Sequence, residues 1–377
     1  MSITINPFIV SGKIPEAYFC DRVAESADLE KSLTNQLNVV LTSSRRMGKT
    51  SLVDFVFDKP TIKNDYITIT VDILQTTTFR EFIFTLGTAV FDTVATRGEK
   101  WRKLFVSFLK SLSGSFGYDP IQNTPTFDVR LGDIQQPEFT LREIFQYLEV
   151  VDKRCLVVID EFQQITRYPE KNVEEILRTH IQKLSNANFV FSGSRRRLME
   201  EMFFSAKRPF YQSAKPLRLE AINEDVYFDF ASMLFQKADR AISRDAFHHV
   251  YETFWGVTLY VQRLMKDAYI ETPAGMTCDV AMVSLLTENY IKENDSHLRE
   301  QLSFITEAQK ELLYAVHAEG QVQSITSSAF NRKHRLRSPS STQSAALKLL
   351  EYDLITRKEK TYSISDPLLS LWLDRRL

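Results

Sequence analysis

The residues whose types and spacing can do chemistry begin in Asn38–Leu52, N-V-V-L-T-S-S-R-R-M-G-K-T-S-L. An apolar run of strand length enters a polar loop ending Gly48-Lys49-Thr50. The apolar positions Leu52, Val53, Phe55 and Val56 then start a helix pattern. A helix N-terminus behind such a loop turns backbone N–H groups and a positive dipole end toward a phosphate. In that arrangement Lys49 reaches the β- and γ-phosphates of ATP and the Thr50 hydroxyl ligates Mg²⁺. The cradle itself is Ser43, Ser44, Arg45, Arg46, Met47, Gly48, Lys49, Thr50 and Ser51. The usual spacing opens with a Gly five residues before the second one. Here Ser43 holds that place, and whether the turn tolerates a side chain becomes a question for the structure.

A second group supports the first. Cys155–Asp160 is an apolar strand, and Glu161 follows it, so two carboxylates stand at a strand end. Charges there are costly unless a metal or hydrogen bonds satisfy them. Asp160 is expected to share the Mg²⁺ shell with Thr50, and Glu161 to act as general base on the attacking water. A third strand, Asn188–Ser192, runs into Gly193-Ser194. Ser192 is taken as the γ-phosphate sensor that orients the water, with Ser194 as its alternative. Arg195, Arg196, Arg197, Arg208 and Arg218 are candidates for an arginine finger.

These groups need an α/β scaffold. Five strands are expected, at 38–42, 66–72, 155–160, 188–192 and 216–220. The first, third and fourth are near-continuous apolar runs, as in central parallel strands covered on both faces. Helical patterns at 79–94 and 141–151 lie between them, while 98–137, with Gly114, Gly117, Pro120, Pro125 and Gly132, reads as an insertion with a short helix and irregular or hairpin structure. From about Asn223 the strand signal stops and helices are expected at 224–240, 243–253, 259–271 and 277–294. The tail reads as a helix at 308–317, a basic polar segment at 331–337, a helix at 342–352, and extended pieces at 354–357 and 361–364. That order is the order of a winged helix-turn-helix. The fold class is therefore α/β: a P-loop NTPase core with a parallel sheet over 1–222, followed by a small helical domain over 223–302, which the resemblance given below implies is a lid, and a winged helix-turn-helix over 303–377.

Composition excludes other classes. The 377 residues hold only 11 Gly, roughly 3% against roughly 7% in average usage, which rules out fibrous and low-complexity chains. Lys and Arg total 47 and Asp and Glu 48, a net charge of −1, so any polyanion site is local. Cys20, Cys155 and Cys278 have no metal-ligand spacing. Neither a signal peptide nor a membrane span is expected, and a cytoplasmic location follows. His248-His249 reads as a helix surface pair without a carboxylate at ligand spacing, and Trp101, Trp255 and Trp372 as core or domain-contact anchors.

The chain resembles an archaeal-type P-loop ATPase of the AAA+/STAND group, a group also widespread in bacteria. The resemblance rests on Asn6-Pro7-Phe8, Tyr18-Phe19-Cys20-Asp21-Arg22, S-S-R-R-M-G-K-T-S-L, V-V-I-D-E-F, F-S-G-S, Pro216-Leu217-Arg218-Leu219, Gly256–Arg263 and Ile364–Leu373. It implies an N-terminal box beside the adenine, of which Phe19 and Arg22 match, and a lid turn in which Gly256-Val257-Thr258 replaces Gly-x-Pro. It also implies Arg263 as a candidate sensor. The expected function is an ATP-binding, ATP-hydrolysing switch that couples nucleotide state to the winged helix.

Two alternatives remain open: a nucleotide-gated scaffold with little turnover, and a DNA-binding regulator. From Ser303 onward there are 11 Lys or Arg and 8 Asp or Glu. Double-stranded DNA through 331–360 is accordingly one candidate partner, with the polar face Ser338–Ser344 toward it. A protein partner or homo-oligomer is the other; no membrane is expected to be involved.

Overall fold

A computed structural model describes residues 6–112, 117–119, 124–126 and 129–376, the two three-residue stretches by backbone alone. The chain divides into two compact units, Ser11–Ile222 and Met1–Val10 with Asn223–Leu377.

The first unit is built on strands β1 (Val39–Thr42), β2 (Tyr66–Asp72), β3 (Gly117–Asp119), β4 (Thr124–Thr126), β5 (Arg154–Asp160), β6 (Ala187–Gly193) and β7 (Lys215–Arg218). Five of them form one sheet in the order β2-β5-β6-β1-β7, every pairing parallel. The continuous apolar runs are the central strands: β1 and β6 are buried along their whole length, and β5 at all but its ends. The edge strand β2, Y-I-T-I-T-V-D, alternates in burial as its sequence alternates in polarity. The two faces separate with a period of two. Val39 and Leu41 pack with Leu29, Leu33, Leu52 and Val56, whereas Val40 belongs to the opposite core with Phe82, Leu86, Phe189 and Phe191.

Four of the chain's 27 Phe residues cluster around β6. Phe162 lies 4.6 Å from Phe191 and 5.2 Å from Phe210, with Phe203 a further 5.1 Å from Phe191, ring centre to ring centre. The insertion contains the helix Glu99–Phe108 and the antiparallel β3–β4 hairpin. Gly114 and Pro120 lie outside the described residues.

The second unit is helical, with short strands β8 (Ala241–Ile242) and β9 (Thr277–Cys278) and the hairpin β10 (Ile355–Lys358) and β11 (Thr361–Ile364). The opening segment belongs here: Phe8 is fully buried against Phe235 and Tyr269, and Asn6 Nδ2 donates to the Lys266 carbonyl. The helices Glu307–Glu319, Ser328–Lys333 and Pro339–Glu351 precede the hairpin, and Pro367–Leu373 closes the chain.

The basic polar segment read at 331–337 overlaps the end of the helix Ser328–Lys333. Ser327 caps its helix through Phe330 N, and the Asn331 side chain is buried, donating to the Ile325 and Ser327 carbonyls and accepting from Thr342 Oγ1 at 2.7 Å. That one Asn fixes the second helix on the third. Within the same unit Tyr260 donates to Asp366 at 2.8 Å and Trp372 Nε1 to Asp295 at 2.8 Å, so the helical and winged parts share polar contacts. Among the described residues no helix is long and apolar enough to cross a membrane.

Candidate functional site

Register decides which strand ends meet. Thr42 of β1 is level with Gly193 of β6, and Ile159 of β5 with Phe191 of β6. The loops after β1, β5 and β6 therefore leave the sheet side by side at the carboxyl ends of its strands, where ligands bind in open α/β sheets.

The loop after β1 turns through Arg46 and Gly48, both left-handed at φ 65° and 88°. Gly48 is then the residue before the helix Lys49–Asp58. Ser43 is not among the left-handed residues, so its Cβ is no obstacle. Its hydroxyl instead donates to the Ser44 carbonyl and accepts from Lys49 Nζ at 3.2 Å. Lys49 is only 8% exposed. The missing glycine thus became a polar post for the loop lysine. Arg22, itself buried, clasps the loop from behind, donating to the Met47 carbonyl at 3.4 Å and to the Glu220 carbonyl at 2.8 Å. Phe19 stacks on Phe55 at 4.1 Å between ring centres. These are the two residues of the N-terminal box that the resemblance singled out.

Thr50 Oγ1 donates to Asp160 Oδ2 at 3.4 Å. Two hard oxygen donors this close, with Thr50 open to solvent, fit a Mg²⁺ that keeps several of its waters. Glu161 is left-handed at φ 56°. Asp160 ends the strand, accepting from Glu161 N at 3.0 Å, and Phe162 is fully buried in the aromatic cluster. The turn leaves the Glu161 side chain half-buried beside Gln163 and Ser194. There its Oε2 accepts from Ser194 Oγ at 2.8 Å and from Gln163 Nε2.

Of the two serine alternatives it is Ser194, not Ser192, that reaches Glu161. Ser192 is buried in β6 opposite Leu41. Gln163 was not singled out from sequence, though its position two residues after Glu161 was the available signal.

The arginine candidates are mostly engaged. Arg196 and Arg218 share Glu200 at 3.2 and 2.8 Å, and Arg196 also meets Glu220. Arg208 pairs with Glu174 at 2.6 Å; burial raises the Glu174 carboxyl, and Arg208 opposes that rise. Arg197 is exposed. In the second unit Arg263 is held by Asp267 at 2.7 Å and Glu293 at 3.2 Å and lies over Tyr290.

Two expectations need correction there. His248 does have carboxylate neighbours. Its Nδ1 lies 3.0 Å from Glu224, and Glu252 completes a group whose ligand atoms all fall within 4.8 Å, because the fold sets the start of one helix beside the next. Trp255 is 49% exposed and left-handed at φ 54°, so it is not a core anchor, unlike the buried Trp372. The three cysteines are free thiols. Burial pushes Cys20 and Cys155 up to about 12 and Cys278 to about 11, which favours the thiol over the thiolate.

With the geometry in place, comparisons locate the fold. The model of a probable winged helix domain matches residues 296–375. No curated protein matches the chain. Among solved structures, the Walker-type ATPase PABY2304 of Pyrococcus abyssi is similar over 98% of this chain and 99% of its own, at 18% identity and a TM-score of 0.69. The ORC2 protein of Aeropyrum pernix, in ADPNP–ADP complexes, covers 98% and 97% at 13% identity, with a TM-score of 0.58. The ORC1 protein of the same organism, in complex with DNA, covers 98% and 96% at 10% identity, with a TM-score of 0.51. Likeness at these identities shows the fold: a P-loop ATPase fold with a parallel sheet, ending in a winged helix domain.

Proposed function

We propose that the chain binds Mg·ATP in the loop Ser43–Ser51 and hydrolyses it, using the bound nucleotide as a switch for its C-terminal winged helix. The observation that carries this reading is the meeting of Lys49, Thr50, Asp160 and Glu161 beyond the carboxyl ends of β1 and β5, with a hydroxyl–carboxylate pair at 3.4 Å and a carboxylate on a left-handed turn. The Lys49 ammonium and the N-terminus of its helix take the β- and γ-phosphates. Thr50 and Asp160 hold Mg²⁺, which supplies charge neutralisation on the phosphates when bound. Glu161 orients the attacking water and accepts its proton.

The test is phosphate release from Mg·ATP together with nucleotide binding. Lys49→Ala is expected to lose both. Glu161→Gln is expected to bind ATP but to slow turnover by roughly 10²–10⁴-fold, the usual contribution of a general base. Turnover at the wild-type rate in Glu161→Gln would remove the base assignment.

A second reading, duplex DNA as the partner of the winged helix, is favoured by the exposed Arg332, Arg335, Arg337, Lys358 and Lys360 flanking the helix Pro339–Glu351, whose exposed face includes Ser340, Gln343 and Ser344. The similar ORC1 protein was solved in complex with DNA. Basic groups on both sides of a polar helix face suit phosphates flanking a groove.

A further inference from the structure

Gln163 sits beside the catalytic carboxylate and is poorly explained by stability alone. It is 4% exposed, in the helical turn Phe162–Arg167 that follows β5. Its Nε2 donates to Glu161 Oε2, the same oxygen that accepts from Ser194 Oγ at 2.8 Å. Its carbonyl Oε1 is buried and has no donor among the described residues. Reversing the amide would set Oε1 against a carboxylate, so the nitrogen faces Glu161 and the carbonyl is left unsatisfied. A buried orphan carbonyl costs stability, and an apolar side chain of the same length would avoid the cost. The amide is also wedged. A Cβ built on Gly193 would lie 2.4 Å from Gln163 Oε1 and 2.7 Å from Met199, so the absent side chain at Gly193 is what makes room for it.

We infer that Gln163 is a positioning residue for Glu161, holding with Ser194 the carboxylate in the orientation from which it takes the proton of the attacking water. The inference rests on the ATPase reading above. Two donors converging on Oε2 fix the plane of the carboxyl group. The backbone at Glu161, left-handed and flanked by pinned residues, fixes its root. Neither donor is charged, so they orient the base without compensating its negative charge as an arginine would. Since Gly193 ends β6 and Glu161 follows β5, the Gln163 amide sits between the base and the end of the strand that leads into Ser194.

The experiment compares the full-length wild type, Glu161→Gln, Gln163→Met and Gln163→Glu for steady-state ATP hydrolysis and thermal unfolding. Gln163→Met keeps length and burial while removing both the bond to Glu161 and the orphan carbonyl. Its kcat is expected to fall roughly tenfold or more, a share of the general-base contribution, with KM for ATP unchanged and Tm unchanged or raised. Gln163→Glu keeps the shape, sets a second carboxylate against Glu161, and is expected to lower kcat as well. If Glu161→Gln is inactive and either Gln163 variant retains wild-type kcat, the positioning role is overturned while the ATPase reading stands. A Gln163→Met variant with lowered Tm and wild-type kcat per folded molecule overturns it in favour of a structural role. A wild type without turnover overturns the ATPase reading and this inference with it.

Discussion

Gly193 shows how little space the site leaves. Its backbone is not left-handed, so conformation does not demand glycine; the neighbours do, at 2.4 Å from Gln163 and 2.7 Å from Met199. Gly193→Ala is therefore expected to destabilise the protein by about 1–3 kcal/mol, as overpacked sites do, and to lower ATP turnover by displacing Gln163. Urea denaturation and phosphate release measure the two effects, and a variant with wild-type stability would show that Met199 and Gln163 yield without cost. At Ser43 the logic runs the other way. The position where a glycine is usual has no left-handed backbone, and the hydroxyl on its side chain is bound to Lys49. Sequence spacing marks Ser43 as a gap in the motif; in the fold its hydroxyl holds the ammonium of Lys49.

At the scale of elements, scarce glycine has a structural counterpart. Helices often end with a left-handed residue, usually Gly, in a motif where the next N–H bonds back across the last turn. In this chain Gln36, Asp239, Trp255, Arg335 and Asp353 fill that position at φ 54–64°. The following N–H groups close each motif: Leu37 to Ser32, Arg240 to Phe235, Gly256 to Tyr251, Leu336 to Asn331 and Leu354 to Leu349. An L-residue in this region costs about 1–2 kcal/mol, partly offset by the greater entropy that glycine loses on folding. Gln36→Gly and Asp239→Gly, both at exposed positions, should each raise stability by about 0.5–1 kcal/mol. A fall in the urea midpoint for both would mean that their side chains make contacts worth more than the strain.

At the scale of the whole molecule, the proposed switch requires the second unit to respond to the nucleotide. Its helical and winged parts share the Tyr260–Asp366 and Trp372–Asp295 bonds, so the winged helix is tied to the helix Thr258–Glu271 that carries Arg263. Duplex binding is expected to weaken with salt. Arg335→Gln and Arg337→Gln should each lower the slope of log K against log salt by about 0.9 if each neutralises one phosphate. Fluorescence anisotropy of a labelled duplex at several salt concentrations tests this, and the absence of binding at low salt would turn the winged helix toward a protein partner instead. Arg332 and Lys333 make weaker choices, since Lys333 is already paired with Glu319 at 2.6 Å and Arg332 bonds its own helix.

Much of this architecture could be read before any coordinates. The buried strands β1, β5 and β6 are apolar along nearly their whole length, and burial on both faces of a parallel sheet requires that pattern locally. Lys49, Thr50, Asp160 and Glu161 stand out in the sequence as candidates because Asp160 and Glu161 close one such run and Lys49 and Thr50 open the helix pattern that follows another. What only the tertiary structure decided are contacts set by register and chain crossing. These are Ser194 rather than Ser192 on Glu161, Gln163 between Glu161 and Gly193, Glu224 beside His248, and Phe8 against Phe235 and Tyr269. The reason is physical. Periodicity records which face of an element is buried, whereas a hydrogen bond between residues some thirty positions apart depends on where two strand ends stop relative to one another, to within a single residue.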